Sequence, residues 1–179
     1  SESGLTDEQL EKGIGPIQNV QLSAINEELV EKGKQVFNTK CVACHRFDQE
    51  GGGVGPDLTN LAKRSDYKSI LESTIHPNRI VSEQFEQHEL TMKDGSLVMG
   101  RVVAEENDQY SVVQSALDPL KLTKIDKTQV ASKKGLKLSM MPGGLINAMN
   151  ADELRDLMAY FLSGGDRKHK VFRPLKKPV

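Results

Sequence analysis

The stretch NTKCVACHRF, residues 38–47, decides both the fold and the chemistry of this chain. It contains Cys41 and Cys44, the only two cysteines among 179 residues, and His45 follows the second one directly. Four chemistries use a close pair of cysteines: a zinc site, a redox dithiol, a disulfide, and covalent attachment of haem. The residues around the pair discriminate between these four.

Three of the four chemistries fit the sequence poorly. A tetrahedral zinc site needs two further Cys or His ligands at matching spacing, and the sequence has no second pair. A redox dithiol follows a hydrophobic strand, but the preceding residues EELVEKGKQVFNTK (27–40) have apolar side chains at helical spacing. A disulfide between residues three apart would be strained and would constrain little chain.

Covalent attachment of haem explains the whole motif. Cys41 and Cys44 would bind the two vinyl groups of the macrocycle, and His45 would place its imidazole under the iron. One haem c is therefore the expected cofactor, and no thiol would remain for a disulfide or a nucleophile. Because this attachment takes place outside the cytoplasm, we expect a periplasmic or otherwise extracytoplasmic protein whose signal peptide has been removed.

The chain resembles the class I, monohaem cytochromes c, and in particular the haem-binding domains of cytochromes c associated with bacterial dehydrogenases. The resemblance implies a mainly α cytochrome c fold, α+β overall, with its haem domain in residues 29–85 and 136–165. The sequence GKQVFNTKCVACH resembles the N-terminal helix of the family, in which Gly33 permits close crossing of the C-terminal helix and Phe37 packs at the junction.

The sequence NADELRDLMAYFLSGG, residues 150–165, is similar to the C-terminal helix of the family. Asn150 followed by Glu153 three residues later is typical of a helix start, and Gly164 is typical of a helix end. Tyr160 lies where the family often places an aromatic side chain near the haem.

The resemblance also implies the proximal half of a haem site. Pro56 in the segment GGGVGPDL would accept a hydrogen bond from His45 Nδ1–H through its carbonyl, which orients the imidazole. Leu58 would wall the proximal side. Arg64 corresponds to a position that often binds a haem propionate, for which a guanidinium fork is well suited.

Met141 is the expected sixth ligand of the iron. It precedes Pro142 on an extended loop, which is the family pattern for a distal methionine. Met140 remains an alternative, because adjacent side chains on an extended loop point in opposite directions. His76 is a further alternative for a haem role, since related domains commonly have an aspartate at that position before proline.

A small β subdomain is expected between the two halves of the haem domain. Residues 86–135 show β-branched and alternating runs, and Asp94-Gly95 favours a tight hairpin turn. We predict four or five antiparallel strands that form a small sheet or partial barrel. Its exposed edge could pair two copies of the chain into a homodimer.

The two ends of the chain carry opposite charges, although the formal net charge is −1. We expect an acidic N-terminal extension over residues 1–28 and a basic C-terminal tail over residues 166–179. Aromatic residues make up 4% of the chain and are not interleaved with a basic helix, so we expect no nucleic-acid partner. No apolar stretch is long enough for a membrane span.

The expected function is electron transfer rather than enzymatic catalysis. His/Met ligation saturates the iron and raises its reduction potential relative to ligation by two histidines. The partners would be redox proteins, with a dehydrogenase or respiratory complex as donor and an oxidase or reductase as acceptor. The alternative is a haem-based ligand sensor or peroxidase-like domain with an open or displaceable distal site.

Overall fold

The computed structural model describes residues 27–166 and 168. Two compact units make up this part of the chain. Among the described residues, the helical unit comprises residues 27–41, 58–76, 144–166 and 168, and the sheet unit comprises residues 42–57 and 77–143. The expected N-terminal extension up to residue 26, and the basic tail apart from residues 166 and 168, lie outside the described residues.

Within residues 27–166, four α-helices belong to the helical unit. They are α1 (Glu27–Lys40), α2 (Leu61–Arg64), α3 (Tyr67–Ile75) and α4 (Ala151–Ser163), and a short 3-10 helix, Leu145–Ala148, comes before α4. None of the helices in the described part of the chain combines the length and the apolar character that crossing a lipid bilayer would require.

The crossing of α1 and α4 forms the centre of the helical unit. A Cβ atom at Gly33 would overlap the carbonyl oxygen of Asp156 and would lie 2.7 Å from the Cβ of Tyr160. Phe37 is 1% exposed, and its ring centroid lies 5.8 Å from that of Tyr160 and 6.2 Å from that of Phe161. The close crossing predicted at Gly33 and the packing predicted for Phe37 are both confirmed.

The ends of α4 follow the signals in the sequence. The side chain of Asn150 accepts a hydrogen bond from the backbone N–H of Glu153, and the Glu153 carboxylate accepts one from the Asn150 N–H, both at 2.9 Å. Gly164 ends the helix with φ = 63°, in the left-handed region that glycine adopts without a steric penalty. The predicted capping of this helix is confirmed.

Helix α3 was not predicted from the sequence, although a start signal is present. Asp66 accepts a hydrogen bond from the Ser69 backbone N–H at 2.8 Å and so caps the helix. Ile70, Leu71 and Ile75 lie on its buried face. Helix α3 thus contributes to the core of the helical unit.

Seven strands belong to the sheet unit, and five of them form one antiparallel sheet. A hairpin of β1 (Arg46–Phe47) and β2 (Glu50–Gly51) stands alone. The five-stranded sheet has the order β6-β5-β4-β3-β7 and consists of β3 (Glu86–Met92), β4 (Leu97–Glu106), β5 (Gln109–Val113), β6 (Leu122–Asp126) and β7 (Val130–Ser139). The predicted antiparallel sheet is confirmed; it does not close into a barrel.

The turn between β3 and β4 is the one that the sequence predicts. Thr91 pairs with Leu97, and Gly95 between them has φ = 86°. The Asp94 carboxylate accepts hydrogen bonds from both the backbone N–H and the hydroxyl of Ser96. A glycine that adopts positive φ beside an aspartate that bonds its own turn explains why this dipeptide fixes the hairpin.

Two apolar clusters stabilise the sheet unit. The first consists of Leu90, Val112 and Ile125 from three strands of the sheet. The second, called here the Val54 cluster, consists of Val54, Val113 and Met140, with Cys44, Val103 and Ala116 packed against it. The Val54 cluster therefore joins the sheet to a cysteine of the CVACH motif.

Candidate functional site

The CVACH motif begins where α1 ends. The backbone N–H of Cys41 donates to the carbonyl of Phe37 at 2.8 Å, so the first cysteine continues the last turn of the helix. Cys41 and Cys44 are both partly buried, and neither forms a disulfide. Burial raises the pKa of the Cys44 thiol above its usual value. The disulfide alternative is therefore not realised in the structure.

The imidazole of His45 is held by a backbone carbonyl. Its Nδ1 lies 2.8 Å from the carbonyl oxygen of Pro56, which is the hydrogen bond expected from the resemblance. Burial lowers the pKa of His45 below its usual value, while this hydrogen bond opposes the shift. A neutral imidazole that donates through Nδ1 keeps the lone pair on Nε2, and that nitrogen is then able to bind a metal.

A glycine packs directly against the His45 ring. A Cβ atom at Gly55 would lie 2.7 Å from Nδ1 and 2.9 Å from Nε2 of His45, closer than real side chains approach. The backbone N–H of Gly55 donates to the carbonyl of Cys44 at 2.7 Å. Because both partners of Gly55 belong to the CVACH motif, the loop after the motif folds back onto it.

A short hairpin closes the segment between the motif and this loop. Strands β1 and β2 pair Phe47 with Glu50, and the two turn residues, Asp48 and Gln49, have φ values of 47° and 69°. Phe47 is buried at 3% exposure. Sequence reasoning missed this hairpin because neither turn residue is a glycine, the usual signal for two consecutive positive φ angles.

The two candidate methionines have different surroundings. Met140 is 8% exposed and belongs to the Val54 cluster, against which Cys44 packs. Met141 is partly buried, and its backbone N–H donates to the hydroxyl of Ser139 at 3.1 Å. Both residues lie in the segment that follows β7.

The remaining predicted site residues lie in the helical unit. Tyr160 is 6% exposed and packs against Phe37 and Phe161, while Leu58 is partly buried and accepts a hydrogen bond from the Leu61 N–H at 3.0 Å. Arg64 is exposed at the end of α2. His76 follows α3, and its backbone N–H donates to the carbonyl of Glu72. The sheet unit thus brings together Cys44, His45, Pro56 and Met140, and the helical unit holds Cys41, Leu58, Arg64 and Tyr160.

The donor groups fit a covalently bound haem. Two thiols outside any disulfide and a neutral imidazole with Nε2 available are the groups that such a cofactor requires. Within residues 27–166 and at residue 168, no three His, Cys, Asp or Glu side chains are grouped so that they could hold a metal ion.

A Cys-x-x-Cys-His turn after a helix, with the histidine bonded to a carbonyl through Nδ1, defines a haem-binding protein of the c type. Residues 30–98 match the family model of cytochrome c. Residues 30–98 thus form a class I cytochrome c domain, whose Cys41 and Cys44 support one covalently bound haem c. Such a domain implies haem binding and electron transfer. The comparison with curated proteins finds no match.

Proposed function

We propose that the protein is an exported, periplasmic electron carrier whose single haem c has His45 and Met141 as axial ligands. It shuttles electrons from a dehydrogenase or respiratory complex to an oxidase or reductase. The observation that supports this proposal most directly is the 2.8 Å hydrogen bond between His45 Nδ1 and the Pro56 carbonyl, because it leaves Nε2 as the nitrogen that binds iron.

The protein's own residues would keep the iron ligands unchanged while the iron gains or loses one electron. Haem iron, when bound, supplies one-electron chemistry between Fe(III) and Fe(II). The carbonyl of Pro56 fixes the tautomer of His45 and raises the basicity of its Nε2. Gly55 packs on the ring and restricts its rotation. If the Met141 thioether held the iron together with His45, no coordination position would be open to a substrate, which is why a carrier is proposed rather than an enzyme.

The distal ligand is the part of the proposal that a pair of variants tests. In Met141→Ala we expect the weak far-red absorption band of a Met-ligated ferric haem to disappear and external imidazole to bind. Met140→Ala is the matched control, since it removes the neighbouring thioether from the Val54 cluster. The control should keep the band and lose stability by about 2–5 kcal/mol, as buried Met→Ala changes do.

The reverse result has a definite meaning for each variant. A band that survives in Met141→Ala and disappears in Met140→Ala would make Met140 the ligand. A wild-type ferric protein without the band, which binds cyanide or imidazole freely, would contradict the carrier proposal and favour a ligand sensor or peroxidase-like domain.

The haem domain is proposed to comprise residues 29–85 and 136–165, with residues 86–135 inserted. Arg64 is proposed to bind a propionate, and Leu58 and Tyr160 to line the haem. Arg64→Gln should weaken the contact with the propionate and shift the reduction potential, which a redox titration against wild type measures.

Export is proposed because covalent haem attachment takes place outside the cytoplasm, and cell fractionation should find the haem-bearing chain in the periplasm.

Redox partners are proposed to form weak, transient contacts that bury less than about 1,200 Å2.

A homodimer through the sheet would use the outer edge of β6, where Leu122 is 49% exposed. The other edge strand, β7, carries Lys133, Lys134 and Lys137, and lysines resist edge-to-edge pairing. Light scattering tests this: Leu122→Lys should convert a dimer to a monomer, and a monomeric wild type would exclude the homodimer.

A further inference from the structure

Arg101 on β4 is a buried cation in the sheet unit. It is 6% exposed, and no other lysine or arginine side chain in residues 28–166 is buried to this degree. Its guanidinium group donates through Nη1 to the carbonyl of Gly53 at 3.0 Å and through Nη2 to the carbonyl of Gln84 at 3.1 Å. The guanidinium carbon lies 4.8 Å from the centroid of the Phe85 ring.

No acidic side chain among the described residues balances the charge of Arg101. None of the ion pairs in the described part of the chain involves it, and its buried Nε has no hydrogen-bond partner among the described residues. Burial lowers the pKa of the guanidinium below its usual value. Burying such a charge costs free energy that an apolar side chain of similar volume would not, so packing alone does not explain an arginine at this position.

The segment that Arg101 holds is the one that orients His45. Gly53 accepts from Arg101, Val54 is buried in the Val54 cluster, and Gly55 packs on the imidazole ring. Pro56, three residues after Gly53, then supplies the carbonyl that accepts from His45 Nδ1. The loop 53–56 therefore has a polar attachment to the sheet at its first residue and a polar attachment to the histidine at its last.

Attachment at both ends restricts how the loop can move. A carbonyl on a glycine-rich loop would otherwise sample many orientations, because glycines restrict the backbone least. The planar guanidinium fork is bound at two carbonyls and stacked on Phe85, so its geometry is fixed. A fixed donor at Gly53 reduces the freedom of the three residues that follow.

We propose that Arg101 is a positioning residue for the haem ligand: it holds the loop 53–56 so that the Pro56 carbonyl accepts a hydrogen bond from His45. The inserted sheet then has a role in the haem site, since β4 supplies this arginine. The inference rests on the proposed role of His45 as the axial ligand of the iron.

The test measures the hydrogen bond itself in the intact haem protein. In ferric protein the Nδ1 proton of an iron-bound histidine gives a strongly shifted NMR signal, and its exchange with solvent deuterium reports opening of the bond to Pro56. Arg101→Met removes the charge and the fork but keeps the volume, a change that buried ionic groups usually tolerate. We expect exchange about tenfold faster, the effect of losing one hydrogen bond to a charged donor.

Two further variants separate positioning from general loosening. Lys124→Met removes a cation on the same sheet whose Nζ donates to the Ser111 hydroxyl at 2.7 Å, and it should leave the exchange rate of the His45 proton unchanged. Arg101→Lys keeps the charge without the fork and should fall between wild type and Arg101→Met. The backbone amides of α4 are the internal reference, because their exchange should not change in any of the variants.

Each outcome distinguishes the inference from the proposed function. Suppose that wild type shows the shifted His45 proton and that this proton exchanges as slowly in both Arg101 variants as in wild type. The positioning role is then wrong and the ligation proposal stands. If the α4 amides accelerate in parallel with the His45 proton, the role of Arg101 is merely structural and the inference is overturned. If wild type gives no such proton, His45 is not the ligand and both proposals fall. If Arg101→Met does not fold, Arg101→Lys alone decides by the same criterion.

Discussion

Gly33 and Asp156 lie so close together that nothing larger than a hydrogen fits on the α-carbon of Gly33, because a Cβ there would overlap the Asp156 carbonyl. The glycine is needed for space and not for an unusual backbone angle, since it lies within the regular helix α1. The crossing of α1 and α4 is thus a contact between backbones, and any added side chain must push the helices apart.

Gly33→Ala should destabilise the protein in spite of the better helix propensity of alanine. Overpacking costs about 1–3 kcal/mol, and alanine regains about 1 kcal/mol within a helix, so we expect a net loss of up to about 2 kcal/mol. Gly143→Ala is the control, because a Cβ there meets no atom within 4 Å. Urea unfolding of both variants measures the difference, and equal stabilities would mean that the helices adjust without cost.

Gly55→Ala should disturb the histidine while Gly53→Ala should not. A Cβ at Gly55 would lie 2.7 Å from His45 Nδ1, whereas a Cβ at Gly53, in the same loop, meets no atom within 4 Å. We expect Gly55→Ala to change the ferric absorption spectrum and to shift the reduction potential. The Gly53→Ala spectrum should superimpose on that of wild type; identical spectra for both variants would mean that the ring moves aside freely.

The two capping hydrogen bonds between Asn150 and Glu153 at the start of α4 should show a coupling energy in a double-mutant cycle. Asn150→Ala should lower the free energy of unfolding by about 1 kcal/mol, because it leaves the Glu153 N–H without its acceptor. Glu153→Ala removes the second bond of the pair. If the two bonds support each other, the double variant loses less than the sum of the single losses, and additive losses would show that they act independently.

We expect the free energy of unfolding to fall in alkali because of the hydroxyl of Tyr67 on α3. It is buried without a hydrogen-bond partner among the described residues, and burial raises the pKa of Tyr67 to about 12 from its usual 10.0. Between these two values the unfolded chain releases the proton and the folded chain keeps it. The contribution of protonated Tyr67 to the free energy of unfolding is therefore fully present below about pH 10, and it is lost as the pH rises towards 12.

Tyr67→Phe tests this directly. Removal of an unpaired buried hydroxyl should raise the free energy of unfolding by about 1 kcal/mol at neutral pH. The advantage over wild type should grow between about pH 10 and pH 12, because only wild type has the ionisable group. Denaturant unfolding at several pH values measures both effects, and a less stable Phe variant would mean that the hydroxyl has a partner in the haem-bound protein.

Local signals in the sequence predicted the elements that depend on local physics. Asn150, Glu153 and Gly164 define α4 because capping involves residues a few positions apart, and Asp94-Gly95 defines a hairpin for the same reason. Helix α3 carries a comparable signal in Asp66 and could have been found. The hydrogen bond of His45 to Pro56 followed from the resemblance to the cytochrome family, and the structure contains it.

Long-range contacts were not accessible from the sequence. Arg101 and Gly53 are 48 residues apart, and an arginine in an alternating strand gives no sign that it points inwards towards a distant carbonyl. The division of the described chain also depends on such contacts: residues 42–57 join the sheet unit although they lie next to α1 in the sequence. Met140 is buried and Met141 is only partly buried. Two adjacent methionines form no sequence pattern from which this difference could be predicted.

Because the haem uses both cysteines, a cysteine introduced elsewhere would be the single reactive sulfhydryl of the protein. Leu117, in the loop between β5 and β6, is 96% exposed and follows Ala116, which packs against the same cluster as Cys44. Leu117→Cys would therefore accept a fluorophore or a gold surface at one defined position, on the same unit as one of the two porphyrin anchors. Wiring the protein to an electrode through that residue would allow its current to be recorded without any natural partner.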